Sequence, residues 1–119
     1  MASANLYCNI SNVKEHIQIS ERDMEDPDII IRIKTAMRWV NNYMQTSYTG
    51  IIPEQITDAT AMYAAAKILD YLFTTDSPNE SKLSMSLKRD AKYMLDLYAK
   101  DEADPESQVE KINSGFFDD

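Results

Sequence analysis

Glycine and proline are scarce in this chain, with two and four residues among 119, against average usage of ~7% and ~5%. That scarcity favours long unbroken helices over a turn-rich β architecture. With glycines only at 50 and 115, no glycine-rich phosphate loop can be built. The single cysteine, Cys8, has no partner for an internal disulfide, which fits a reducing compartment or a chain that does not need the bond. Its simplest reading is a small, semi-buried apolar residue. The single histidine, His16, stands at a different place in the chain. A zinc site needs four ligands, and a Cys–His catalytic pair needs a third orienting group. Neither is supplied at a telling spacing, so His16 reads as a partly exposed helix residue. Acid pairs such as Glu25-Asp26 and Asp101-Glu102 read as solvated charge. The expectation is a protein that is not an enzyme, with no catalytic residue, no cofactor and no metal.

Long hydrophobic runs are missing too. No stretch approaches the ~18 apolar residues of a membrane span, and residues 1–20 lack a basic start followed by an apolar segment. The sequence therefore reads as a soluble protein made in the cytoplasm, with no membrane partner. Basic patches are equally absent, and binding to phosphates by counterion release requires one.

What is present is charge of one sign, unevenly placed. The chain carries a net charge of −8. Residues 101–119 hold seven acids (Asp101, Glu102, Asp104, Glu106, Glu110, Asp118, Asp119) against Lys111, a net of −6, which leaves −2 for residues 1–100. A near-neutral body is followed by an acidic tail. At 119 residues and 44% apolar content, the body is large enough to bury a core without metals or disulfides.

Helical periodicity organises that body. Residues 1–9 show none and read as an arm. Ser11 is placed to cap a short helix containing Val13 and Ile17, four apart and on one face. The acidic ISERDMED then reads as a loop. Asp26 as N-cap and Pro27 at the first helical position open a long helix, with Asp28 near the positive end of its dipole. Its stripe runs Ile30, Ile33, Met37, Val40, Met44, widened by Ile29, Ala36 and Tyr43. Trp39 lies beside that stripe and is a candidate interfacial residue. A loop turning at Gly50 leads to Pro53, which opens a second long helix with the row Ile56, Ala59, Tyr63, Ala66, Leu69, Phe73. The alanines at 59, 61, 64, 65 and 66 leave little bulk, so a neighbour can approach closely, and this helix belongs at the centre. Ser77-Pro78-Asn79-Glu80 is a capping box with proline at the first helical position. It starts a third long helix with the stripe Leu83, Leu87, Ala91, Met94, Tyr98. Asp104-Pro105 can restart a short helix over Val109 and Ile112, ended by Gly115. The fold expected is all-α: a small bundle of three long helices plus a short N-terminal helix over residues 1–100, followed by an acidic C-terminal tail at 101–119.

The order of these parts resembles the head–tail connector (adaptor) proteins of tailed bacteriophages. The likeness covers roughly residues 6–98. It rests on the short opening helix near YCNISNVKEHI, on the helix in which Ile33, Ala36, Trp39, Val40 and Tyr43 follow an I-x-x-A-x-x-[WI]-[VI]-x-x-Y pattern, and on Pro53 leading into an alanine-rich helix with Tyr63. The resemblance implies a structural virion protein of the neck, assembled in the host cytoplasm as a ring, typically of twelve subunits. Its partners would be copies of itself, the portal protein and a further neck or tail protein, with DNA passing through the channel without specific binding. A body with no basic patch suits such a channel, because like charge repels the phosphate backbone.

Two adjacent phenylalanines, Phe116 and Phe117, end the acidic tail. Apolar anchors on a terminal segment suit docking onto the portal or a neighbouring subunit. The alternatives are rings folded back onto the body, or an end with no fixed place. The competing function is a small helical phage DNA-packaging or regulatory DNA-binding protein. It predicts a basic recognition helix, and the third long helix offers Lys82, Lys88, Arg89 and Lys92, interrupted by Glu80, Asp90 and Asp96.

Overall fold

The computed structural model describes residues 6–72 and 78–103. They form α1 (Ile10–Lys14), α2 (Asp26–Met44), α3 (Glu54–Leu72) and α4 (Pro78–Ala103), with no strand among the described residues. The all-α bundle of three long helices and a short first one is the architecture the sequence predicts. Helix α4 passes residue 100 and ends at Ala103, so its last turn takes in the start of the acidic segment. The rest of the tail, with Phe116, Phe117 and the short helix expected after Pro105, lies outside the described residues, as do Phe73 and Ser77.

The central element is α3. Ile56, Ala59, Thr60, Ala61, Ala64, Ala65, Ala66, Ile68 and Leu69 are all buried, and they point in nearly every direction around the axis. A helix covered on all sides shows no sharp apolar stripe, which is why its composition rather than its periodicity marks it. Its most extensive packing is against α4, then α2, with α1 closing one end. The one polar side chain in its buried set, Thr60, donates its hydroxyl hydrogen to the Ile56 carbonyl at 2.7 Å, so its burial leaves no donor unpaired.

In α2 the buried line is Ile29, Ile33, Ala36 and Val40, rotated from the expected Ile30, Ile33, Met37, Val40, Met44. Three successive isoleucines at 29–31 leave the phase open in the sequence. The structure settles it by turning the small Ala36 inward, while Met37 and Met44 flank the core half-buried and Ile31 is exposed. The helix also begins one residue earlier than expected. Glu25 occupies the cap position without a side-chain capping bond, Asp26 is the first helical residue, and Pro27 the second. Asp26 and Asp28 both sit in the first turn, where negative charge is favoured by the helix dipole. At the far end Gln45 turns left-handed (φ 61°) and its N–H donates to the Asn41 carbonyl. Gly50 also has positive φ (71°) and open space where a Cβ would stand, so the backbone conformation, not crowding, favours glycine there.

The first helix is capped by Asn9 rather than Ser11. Asn9 Oδ1 accepts from the Asn12 N–H at 2.9 Å and Asn12 Oδ1 from the Asn9 N–H at 2.8 Å, a reciprocal box built from two asparagines. Ile17 lies beyond this five-residue helix yet is buried with Val13. The preceding arm is pinned as well. The buried Tyr7 donates its hydroxyl hydrogen to Asn41 Oδ1 at 2.7 Å and accepts from the Tyr48 N–H at 2.9 Å, tying the arm to α2 and to the α2–α3 loop. Between α1 and α2, the expected loop is held by Asp23, whose Oδ2 accepts from the Ser20 N–H at 2.9 Å.

On α4 the core-facing line is Ser84, Leu87, Ala91 and Leu95, not Leu83, Leu87, Ala91, Met94, Tyr98. Leu83 is 41% exposed, and Met94 and Tyr98 are half-buried at the edge. Because Leu95 is fully buried and Leu97 is 37% exposed, truncation separates the two. Leu95→Ala is expected to destabilise the fold by about 2–5 kcal/mol and Leu97→Ala by under about 1 kcal/mol, read as shifts of the urea unfolding midpoint at unchanged slope.

Candidate functional surface

Three groups of side chains stand out beyond the packed core. The first is a polar link between the two central helices. Asp70 on α3 accepts from Ser84 Oγ at 2.6 Å and from Lys88 Nζ at 2.8 Å, both on α4. Ser84 also lies 3.2 Å from the Ala66 carbonyl. Burial pushes the Asp70 carboxyl pKa up, but the bonds from Lys88 and Ser84, with the charges of Lys88 and Lys67, outweigh it and hold the group below the usual carboxylate range. The geometry is that of a helix–helix register pin.

The second group is aromatic. Trp39 stacks on Tyr63 of α3, ring centroids 4.0 Å apart and 4° from parallel, and on Tyr43 one turn along α2 at 5.6 Å and 26°. The half-buried Trp39 ring is thus engaged with two rings of its own chain. Tyr43 continues the line to α4, donating its hydroxyl hydrogen to Asp96 Oδ1 at 2.7 Å; that bond raises the phenol above its ordinary pKa. On the other side, Tyr48 meets Tyr7 edge-on at 5.7 Å and Tyr98 at 6.1 Å. These rings join the arm, the loop and the end of α4.

The third group is the outer face of α4. Met85, Lys88, Arg89, Lys92, Tyr93 and Asp96 line a shallow depression of about 500 Å³. Met85 is 66% and Tyr93 62% exposed, and Leu97 follows Tyr93 by one turn on the same face. Three of the four charged residues are cationic, in a chain whose net charge is −8. Lys88 is committed to Asp70 and Asp96 to Tyr43, which leaves Arg89 and Lys92 as the exposed cations. Sequence reasoning counted these cations along the helix but missed how they combine with Met85 and Tyr93. The i, i+4, i+8 spacing of Met85, Arg89 and Tyr93 was the available signal.

The other sequence candidates are placed as follows. Cys8 is buried, and burial pushes its thiol up to about 12. His16 is half-exposed just past α1. Among the described residues no three His, Cys, Asp or Glu side chains are grouped to hold a metal ion, and no helix is long and apolar enough to cross a membrane. Trp39 lies on α2 and does not line the α4 depression, but Tyr43, on which it stacks, donates to Asp96 of that depression. Comparison with family models, with curated proteins and with solved structures finds no match to this chain.

Two measurements check this geometry. Asp70 has a depressed folded pKa, so its contribution is present above the unfolded carboxylate value near ~4 and is lost as pH falls through the folded value. Asp70→Asn is expected to lower stability at neutral pH by about 0.5–1 kcal/mol, less at high salt because the pair is partly solvated. The variant and parent unfolding curves should converge under strongly acidic conditions. Cys8 should resist a thiol-specific reagent at pH 8 in the folded protein and react stoichiometrically in denaturant, since the thiolate is the nucleophile.

Proposed function

We propose that this chain is a structural subunit of a phage head–tail connector, a ring between portal and tail that copies of the chain build in the host cytoplasm and that stays in the virion neck. The observation that carries the reading is apolar surface left over after the core is closed. Met85, Tyr93 and Leu97 on α4 are exposed, as are Ile31 on α2 and Tyr71 on α3. Clustered exposed apolar residues mark interaction sites, and a ring uses two different faces of each subunit, joined head to tail by a closing rotation. The all-helical architecture, with its alanine-rich central helix, supports the resemblance drawn from the sequence. In this reading Phe116 and Phe117 of the tail and Trp39 are the partner-binding residues. Partners are copies of the chain, the portal and a further neck or tail protein. No cofactor and no catalysis is involved, and DNA passes through the channel unbound.

The second reading, a helical DNA-packaging or regulatory factor, is favoured by one observation, the grouping of Lys88, Arg89 and Lys92 on one face of α4. Its weakness is that Lys88 is already paired and Asp96 sits in the same depression. Phosphate binding by release of counterions needs several free cations.

Native mass measurement and electron microscopy of the chain with a cognate portal test the proposal. The expected result is a closed ring on the portal, with association lost when residues 113–119 are deleted. A particle that stays a monomer with the portal present overturns it. A duplex-DNA shift assay is expected to show no salt-dependent complex, and a steep salt dependence would transfer the case to the second reading. Trp39→Ala removes a stacking pair worth about 0.5–1.5 kcal/mol, so its effect on assembly is read beside its urea midpoint.

A further inference from the structure

The α4 depression combines exposed apolar side chains with cations, and the chain's own acidic end offers the matching chemistry. We propose that in the free protein residues 104–119 of the same chain fold back along α4 and seat Phe116 and Phe117 between Met85 and Tyr93. Charge, reach and chemistry each favour this occupant. Residues 104–119 carry five acids against Lys111, a net of −4. The depression holds three cations and Asp96, a net positive site, on a chain otherwise rich in acids. Asp118 and Asp119 follow the phenylalanines directly, so seating the rings brings two carboxylates to Arg89 and Lys92, and a guanidinium–carboxylate pair can be bidentate.

The reach is sufficient. At 1.5 Å rise per residue, Tyr93 and Met85 lie about 15 and 27 Å back along α4 from its end at Ala103. The thirteen residues 104–116 span about 20 Å as helix and up to about 43 Å extended, so Phe116 can reach the interval in either form. Methionine and tyrosine suit aromatic guests, the thioether by contact with a ring edge and the phenol ring by offset stacking. Tethering favours the chain's own tail over a second copy, because a short linker sets an effective concentration on the order of millimolar. This inference concerns the isolated subunit and holds whether or not the chain builds rings.

The test uses the full chain throughout. Amide correlation spectra of the parent are compared with those of a Phe116→Ala/Phe117→Ala variant and of an Arg89→Glu/Lys92→Glu variant. The tail variant is expected to shift the amides of Met85, Arg89, Lys92 and Tyr93. The α4 variant is expected to shift those of residues 115–119, and both effects should be independent of protein concentration and reduced by 0.5 M salt. Arg89 and Lys92 are exposed, and unchanged dispersion elsewhere in the spectra verifies that each variant folds. A photo-crosslinker at position 93 is expected to join the tail within a species of monomer mass. The proposal is overturned by an α4 face that does not respond to the tail variant, by shifts that grow with concentration together with a crosslinked dimer (the tail of a second copy), or by a face that responds to added duplex DNA and not to the tail.

Discussion

The close approach of α3 and α4 is the constraint on which the rest of the molecule depends. Ala66 on α3, whose carbonyl lies 3.2 Å from Ser84 Oγ of α4, and Ala91 on α4 are both fully buried. Small side chains at such positions let two helix backbones come near, and the buried volume is then filled by a few larger residues, Ile56, Ile68 and Leu95. Overpacking this seam by added methylenes is expensive because the interior has native packing density and no slack. The Asp70–Ser84–Lys88 link sits at the same seam. Alanine faces alone are nearly featureless and allow sliding, whereas a directional hydrogen-bonded group accepts a single register. The polar link therefore specifies what the apolar contact stabilises.

Helix number, helix type and the central place of α3 were legible in the sequence, because they follow from composition and from where proline and glycine stand. The alanines of residues 59–66 announced a crowded helix, and Pro27, Pro53 and Pro78 each mark a start within a residue of the observed boundary. The phase of α2 and α4 was only partly legible: the buried Ile29 and Ala36 stood at the edge of the expected α2 stripe, and Leu87 and Ala91 within that of α4. Reading stripes by hydrophobic size selects Met37 and Met94, whereas packing against an alanine-rich partner selects Ala36 and Ser84. Ser84 in particular cannot be placed inward without knowing that Asp70, fourteen residues away, supplies its acceptor. The pinning of the arm by Tyr7 was hidden for the same reason, since its partners Asn41 and Tyr48 are more than thirty residues distant. Caps escaped where an asparagine pair replaced the usual Ser/Glu box.

The candidate surface was partly legible. Trp39 was visible as an aromatic residue beside its stripe, and the structure adds that its ring lies flat on Tyr63. That contact changes the meaning of the residue. A tryptophan stacked on Tyr63 and Tyr43 of its own chain holds those two rings in place rather than standing free. The exposed anchors are instead on α4, on the side away from α3, where the stripe of Met85, Tyr93 and Leu97 is set among cations.

A protein of this charge faces a conflict between assembly and solubility. Net charge far from zero keeps copies apart in solution, while exposed Met85 and Tyr93 draw them together. Most of the net negative charge, −6 of −8, stands at one end of the chain, and an exposed apolar face with cations stands on α4, an arrangement that meets both demands without altering the core. In the fold-back proposed above, the acidic segment would hide the apolar side chains and neutralise the cations at once. Its release would expose both and free the acids to repel like-charged surfaces. On that proposal, assembly would need no refolding of the bundle, only exchange of one occupant of the α4 face for another. The free energy of that exchange is the difference between two contacts of similar size, so modest changes at Arg89, Lys92 or the two phenylalanines would shift it in either direction.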